Sequence, residues 1–114
     1  MPYISEYNRK KLDQCIDDMV ACIRNNINAT DNNPYPNPHS LNIEPEQLLN
    51  LAGDMNYCVS RMFSAVMGKP SYQKIAIITG VLENIKQEFY RRVAAPYEDS
   101  KIVSNGDIKE YKNI

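Results

Sequence analysis

The chain has no tryptophan, one histidine and three cysteines in 114 residues, and its four glycines are scattered along it. Each scarcity removes a class of chemistry. A nucleophile–histidine pair would have to use His39, which lies in a proline- and asparagine-rich stretch with nothing to preorganise it. A zinc site lacks donors at ligand spacing, since no Cys-x-x-Cys or Glu-x-x-His occurs. A phosphate-cradling loop needs clustered glycines, and Gly53, Gly68, Gly80 and Gly106 stand far apart. No apolar run approaches the roughly 18 residues that cross a bilayer, and the start Met1-Pro2-Tyr3-Ile4 does not read as a secretory leader. The expectations are therefore a cytoplasmic chain with no catalytic residues, no cofactor, no bound metal and no membrane partner. The net charge of -1 also lacks the basic excess of a protein that binds a DNA or RNA duplex. Cys15, Cys22 and Cys58 fall within apolar helical patterns and read as small buried hydrophobes.

What the sequence does have is helical periodicity. Leu12, Ile16, Met19, Val20, Ile23 and Ile27 recur at spacings of three and four, predicting a helix from Glu6 to Ile27 with Ser5 as its cap. Residues 28–44 carry Pro34, Pro36 and Pro38, which forbid a helix and favour an extended connection. Glu44-Pro45-Glu46 opens a second helix, with a proline and acidic groups suited to a first turn, and Gly68-Lys69-Pro70 ends it. Leu48, Ala52, Met55, Val59, Met62 and Val66 form a heptad seam along it. A third helix runs from the Ser71 cap to Ala95, with Ile75, Ile78, Leu82, Ile85 and Phe89 on its seam, and Pro96 stops it. The tail 97–114, with its Asn105-Gly106 turn signal, is expected to be ordered as a small hairpin or as an extended segment. Gly53 and Gly80 lie inside helices, where close approach of a second backbone would be a reason to keep them.

The expected fold is all-α: one domain over residues 1–114, a bundle of three main helices with an ordered C-terminal tail. Apolar residues outside the seams, such as Leu49, Phe63, Ile77 and Val81, widen the stripes beyond what three helices can cover. A homo-oligomer is the economical way to bury them.

The residues with chemistry to offer are cations and aromatics. Asn56, Tyr57 and Arg61 lie beside the second seam; Lys86, Tyr90 and Arg91 lie beside the third, and Arg92 falls on that seam. An arginine on a seam needs a partner. Glu88, Glu98 or Asp99 can supply an internal ion pair. The alternative is an anion site, in which guanidinium groups fork onto phosphate oxygens and Tyr57, Tyr90 or Tyr97 stacks on a base.

The stretch Gly53-Asp54-Met55-Asn56-Tyr57, then Ser71-Tyr72 and Gly80-Val81-Leu82-Glu83, leads to Glu88-Phe89-Tyr90-Arg91-Arg92-Val93-Ala94-Ala95-Pro96-Tyr97-Glu98-Asp99, Lys101-Ile102 and Asn105-Gly106-Asp107. Together with the opening Met1-Pro2-Tyr3-Ile4 it resembles a family of small uncharacterised proteins encoded mostly by tailed phages. The resemblance covers about residues 53–108, and residues 28–47 look longer than the family's linker. It implies a phage accessory protein acting in the host cytoplasm, and no biochemical activity. By analogy with such proteins, the expected function is sequestration of a small anionic nucleotide, an immune signal, at Asn56, Tyr57, Arg61, Lys86, Tyr90, Arg91, Arg92 and Tyr97. The site is expected where the second and third helices meet the tail, across a subunit boundary. The alternative is a protein-interaction module that binds a host or virion protein with no small ligand.

Overall fold

The computed structural model describes residues 3–26, 43–112 and 114. The fold is all-α. Its main helices are α1 (Glu6–Arg24), α2 (Pro45–Met67) and α3 (Tyr72–Phe89). A π turn (Tyr90–Ala94) leads from α3 into α4 (Ala95–Asn105), and a short 3-10 turn (Lys109–Tyr111) follows. Among the described residues there is no strand. The proline-rich stretch, His39 and the expected helix end at Ile27 lie outside the described residues.

The local signals act as elementary physics requires. Ser5 Oγ accepts the backbone N–H of Asn8 at 3.3 Å, and Ser71 Oγ accepts that of Lys74 at 3.2 Å, so each hydroxyl satisfies a first-turn donor. At the start of α2 the Glu44 N–H donates to Gln47 Oε1 at 2.9 Å, half of a capping box, and Pro45 occupies the first turn, where its missing N–H is harmless. Gly68 closes α2 at φ 69° and ψ -133°, a conformation open to glycine and strained for other residues.

The described residues divide into two compact units, one within residues 3–69 and the other within residues 70–114. In the first, α1 and α2 run antiparallel. Asn26 Nδ2, just past the end of α1, donates to Asp54 Oδ2 in the first half of α2 at 3.1 Å, and Met19, farther back on α1, shares a groove with Cys58 and Met62, farther along α2. Leu51, 3% exposed, is the one buried hydrophobic side chain among the described residues. Cys15 and Cys22 are exposed and Cys58 is half-buried, against the expectation that all three are buried. The seams explain the difference: Leu12, Ile16, Met19 and Val20 on α1 are exposed as well, so the cysteines beside them have nothing over them.

In the second unit Pro96 does not stop the helix. A proline in an α-helix lacks a donor and its ring meets the carbonyl four residues back. Here the Ala95 N–H donates to the Tyr90 carbonyl, five residues back, and the wider turn absorbs the conflict while the chain stays helical. The tail is accordingly neither hairpin nor extended strand: it is helical to Asn105, and Gly106 at φ 85° caps α4.

Candidate functional site

The sequence-predicted site residues fall into two groups, one in each unit. On α2, Asn56 and Tyr57 are consecutive and Arg61 stands about one turn farther on. The Arg61 guanidinium lies 6.0 Å from the centre of the Tyr57 ring, at the outer edge of a cation–π contact. Asn56 Oδ1 accepts the Ser60 hydroxyl at 3.3 Å. Tyr57 and Arg61 line a groove of about 410 Å³ with Met19, Cys58, Met62, Ala65 and Val66. It is mostly apolar, and Arg61 is its one cation.

The second group follows α3 through the π turn into α4. A surface groove of about 680 Å³ runs along this side, lined by Glu83, Asn84, Lys86, Gln87, Glu88, Phe89, Tyr90, Arg91 and Ala94. Arg91 forks onto Glu88, with Nη2 to Oε1 at 2.6 Å and Nε to Oε2 at 3.4 Å. Lys86 approaches Glu83 at 3.9 Å, and Gln87 Nε2 donates to Glu83 Oε1 at 3.1 Å. Tyr97 holds the Lys101 ammonium 5.4 Å from its ring centre. The Tyr90 hydroxyl donates to Glu98 Oε2 at 3.1 Å. In an uninterrupted α-helix residues eight apart lie about 80° apart around the axis. The extra residue taken up by the π turn reduces that to about 20°, which is why Tyr90 and Glu98 meet.

The internal-pair expectation is thus met by a different arginine. Arg91, not Arg92, takes Glu88, and Glu98 serves a tyrosine. Arg92 is exposed and makes no ion pair among the described residues. The seam position assigned to Arg92 holds only for an unbroken helix. Spreading the turn over one more residue hands the continuation of the Ile75–Phe89 stripe to Val93 and frees the guanidinium. Asn84 and Gln87 were missed by sequence reasoning. Their signal was available: Gln87 sits four residues from both Glu83 and Arg91, and Asn84 three from Gln87 and seven from Arg91, on the same side of α3.

The Glu98 carboxylate accepts the Tyr90 proton and repels a phenolate, so the phenol is raised above its ordinary 10.0. A folded-state pKa above the unfolded value stabilises the fold below the unfolded value and loses that contribution as pH rises through the folded one, here entirely above about 10. Glu98→Gln is expected to bring the Tyr90 phenol back toward its ordinary value and to remove its small contribution to stability below about pH 10. Tyrosine ring-carbon chemical shifts, with the Tyr90 resonance identified from Tyr90→Phe, would check this across pH 9–12. An unchanged titration in Glu98→Gln would contradict the pairing.

Among the described residues no cluster of three or more His, Cys, Asp or Glu side chains converges as a metal site, and no helix is long and apolar enough to cross a membrane. No curated protein and no solved structure was found to match the chain. A family model does match, over residues 1–108, from ahead of α1 through the whole of α4, and the chain belongs to that family, described as a domain of unknown function (DUF6899).

Proposed function

We propose that the protein is a self-associating binding protein without catalytic activity that sequesters a small anionic nucleotide. The observation that carries this reading is the groove along α3 and the π turn, where Lys86, Tyr90 and Arg91 line one surface. Its volume of about 680 Å³ falls within the usual range for small-ligand sites. The Arg91–Glu88 pair does not close the site to an anion. Arg91 is largely exposed, with 64% of its side-chain surface accessible, so its guanidinium can meet a ligand from solvent while Glu88, half-buried, holds its other side. Arg91 and the unpaired Arg92 would hold phosphate oxygens, and Tyr90 or Tyr97 would stack on a base. Arg61 beside Tyr57 offers a second cation–aromatic pair, with Asn56, the residue before Tyr57, to read a base edge. A phage origin, with the nucleotide an immune signal in the host cytoplasm, is the biological setting we propose, from the motif resemblance.

The rival reading is a protein-interaction module that binds a host or virion protein and carries no small ligand. It is favoured by a specific observation: Arg91 and Tyr90 already have carboxylate partners, while Leu51 is the sole buried hydrophobic residue described.

Native mass spectrometry of protein purified gently from infected cells separates the two. An oligomer carrying extra mass equal to a nucleotide is expected. Arg91→Ala, Arg92→Ala and Arg61→Ala are each expected to weaken binding of that nucleotide at least about tenfold, the loss of one hydrogen bond to a charged group. If all three bind it unchanged, the site assignment is wrong. An oligomer free of adduct would favour the rival.

A further inference from the structure

We infer that the apolar seam of α3 is the docking surface for α3 of a second copy of this chain, packed antiparallel. Ile75 and Ile85 on that seam are 48% and 50% exposed, Leu82 and Phe89 are exposed as well, and Ile78 is half-buried. At 100° per residue these five side chains fall within an arc of about 80° around the helix. Gly80, Glu83, Asn84 and Gln87 stand on the opposite face. The helix is two-faced, and a matching helix would cover its apolar side.

The flanks of the seam say what the occupant is. Lys74, Val81 and Glu88 follow one another at heptad spacing on one flank, about 60°, 80° and 100° from the middle of the seam. Lys86, Thr79 and Tyr72 stand at about the same angles on the other flank. When two copies pack antiparallel, each flank meets the same flank of its mate. Setting Leu82 opposite Ile78 of the second copy also sets Ile75 opposite Ile85. It brings Lys74 beside Glu88 and Lys86 beside the Tyr72 ring, each about 3 Å from level. Val81 and Thr79 meet their own copies at the two-fold axis, which repeats the charged and aromatic pairs in reverse. The same register overlaps the two helices end to end, from Tyr72 to Phe89. A slip of one heptad either way sets Val81 against Lys74 or against Glu88. A parallel pairing sets Lys74 against Thr79 and Val81 against Lys86. Of these arrangements only the first joins opposite charges, and it joins two copies of this helix.

The pairs these groups make within the chain leave room for it. Arg91 holds Glu88 from the side away from the seam, with Nη2 to Oε1 at 2.6 Å, and a carboxylate can accept a second donor. Lys86 reaches Glu83 at 3.9 Å on the exposed surface, a contact that contributes little, and Tyr72 is 95% exposed. Arg91 itself stands on the face opposite the seam, so a nucleotide held there does not compete with the interface.

This interface rests on the self-association proposed above and makes no use of the nucleotide. The test is the association constant of the full chain, from sedimentation equilibrium. Lys74→Glu and Glu88→Lys are each expected to weaken association about tenfold, because each turns two attractive pairs into repulsive ones. Both put charge where the helix dipole favours it, acidic in the first turn of α3 and basic in the last, so helix loss does not explain a weaker association. The variant carrying both changes exchanges the signs and is expected to regain wild-type association. A double variant as weak as either single, with helix content intact by circular dichroism, overturns the proposal. Singles that associate like wild type overturn it too, and leave self-association through another face standing. Leu82→Asp is expected to abolish association at this interface. A Leu82→Asp chain that unfolds more readily at every protein concentration yet associates like wild type would mean that another segment of the same chain covers the seam, and also overturns the proposal. Nucleotide binding by Lys74→Glu, which changes no residue of the groove, reads the other proposal separately.

Discussion

Leu51→Ala is expected to destabilise the α1–α2 pair by about 2–5 kcal/mol, the range for removing a fully buried leucine side chain. Leu51 is 3% exposed in a chain whose other large apolar residues are mostly half-covered or open. A core of many side chains shares the loss of one among its neighbours; a core this lean has little left to rearrange. The Asn26–Asp54 hydrogen bond, one turn along α2 from Leu51, ties the end of α1 to the first half of α2, so the loss falls close to where the two helices meet. Leu49→Ala is the matched control. Leu49 is two residues away and 74% exposed, so its truncation is expected to change stability by no more than about 0.5 kcal/mol. Urea unfolding followed by circular dichroism at several protein concentrations checks both, since a self-associating fold gains stability with concentration. Equal effects from the two leucines would mean that burial within the chain is not what holds α1 on α2.

The signals that read correctly from sequence are the ones satisfied within a single turn. Ser5, Ser71 and the Glu44-Pro45 start each act on donors three residues away, and Gly68 ends a helix through its own backbone. Their physics is local, so tertiary structure has little opportunity to override it. Pro96 misled because a proline has two ways to sit in a helical path. It can end the helix, or the preceding turn can widen to a π turn, and nothing local in Tyr90-Arg91-Arg92-Val93-Ala94 distinguishes them. The Asn105-Gly106 pair misled for a related reason: a glycine with positive φ serves a hairpin turn and a helix C-terminus equally well. The candidate site was half legible. Residue types and spacing put Lys86, Tyr90 and Arg91 on one side of α3, where the groove is. Which arginine takes Glu88 depended on the one-residue shift of the π turn, and that shift is invisible until Pro96 is known to continue the helix.

Two glycines with empty surroundings are expected to respond to alanine in opposite directions. A Cβ built at Gly68 or at Gly80 would meet no described atom within 4 Å, so steric contact is removed from the comparison. At Gly68 the backbone stands at φ 69° and ψ -133°, a region that alanine enters at a strain of about 1–3 kcal/mol. Gly68→Ala should therefore destabilise by that amount, lengthening α2 or straining the connection to Ser71. Gly80 lies inside α3 with no positive φ, and there alanine removes the backbone-entropy penalty of glycine, worth up to about 1 kcal/mol of stabilisation. The close approach that would justify glycine at Gly80 is not met by any described residue of this chain. A stabilised Gly80→Ala variant that keeps its association constant would show that no neighbouring copy uses the gap either. A variant that gains helix stability yet associates more weakly would place a second copy against that face of α3. Thermal unfolding and sedimentation equilibrium on the same two variants separate these outcomes, and a Gly68→Ala protein as stable as wild type would show that α2 can end without the left-handed turn.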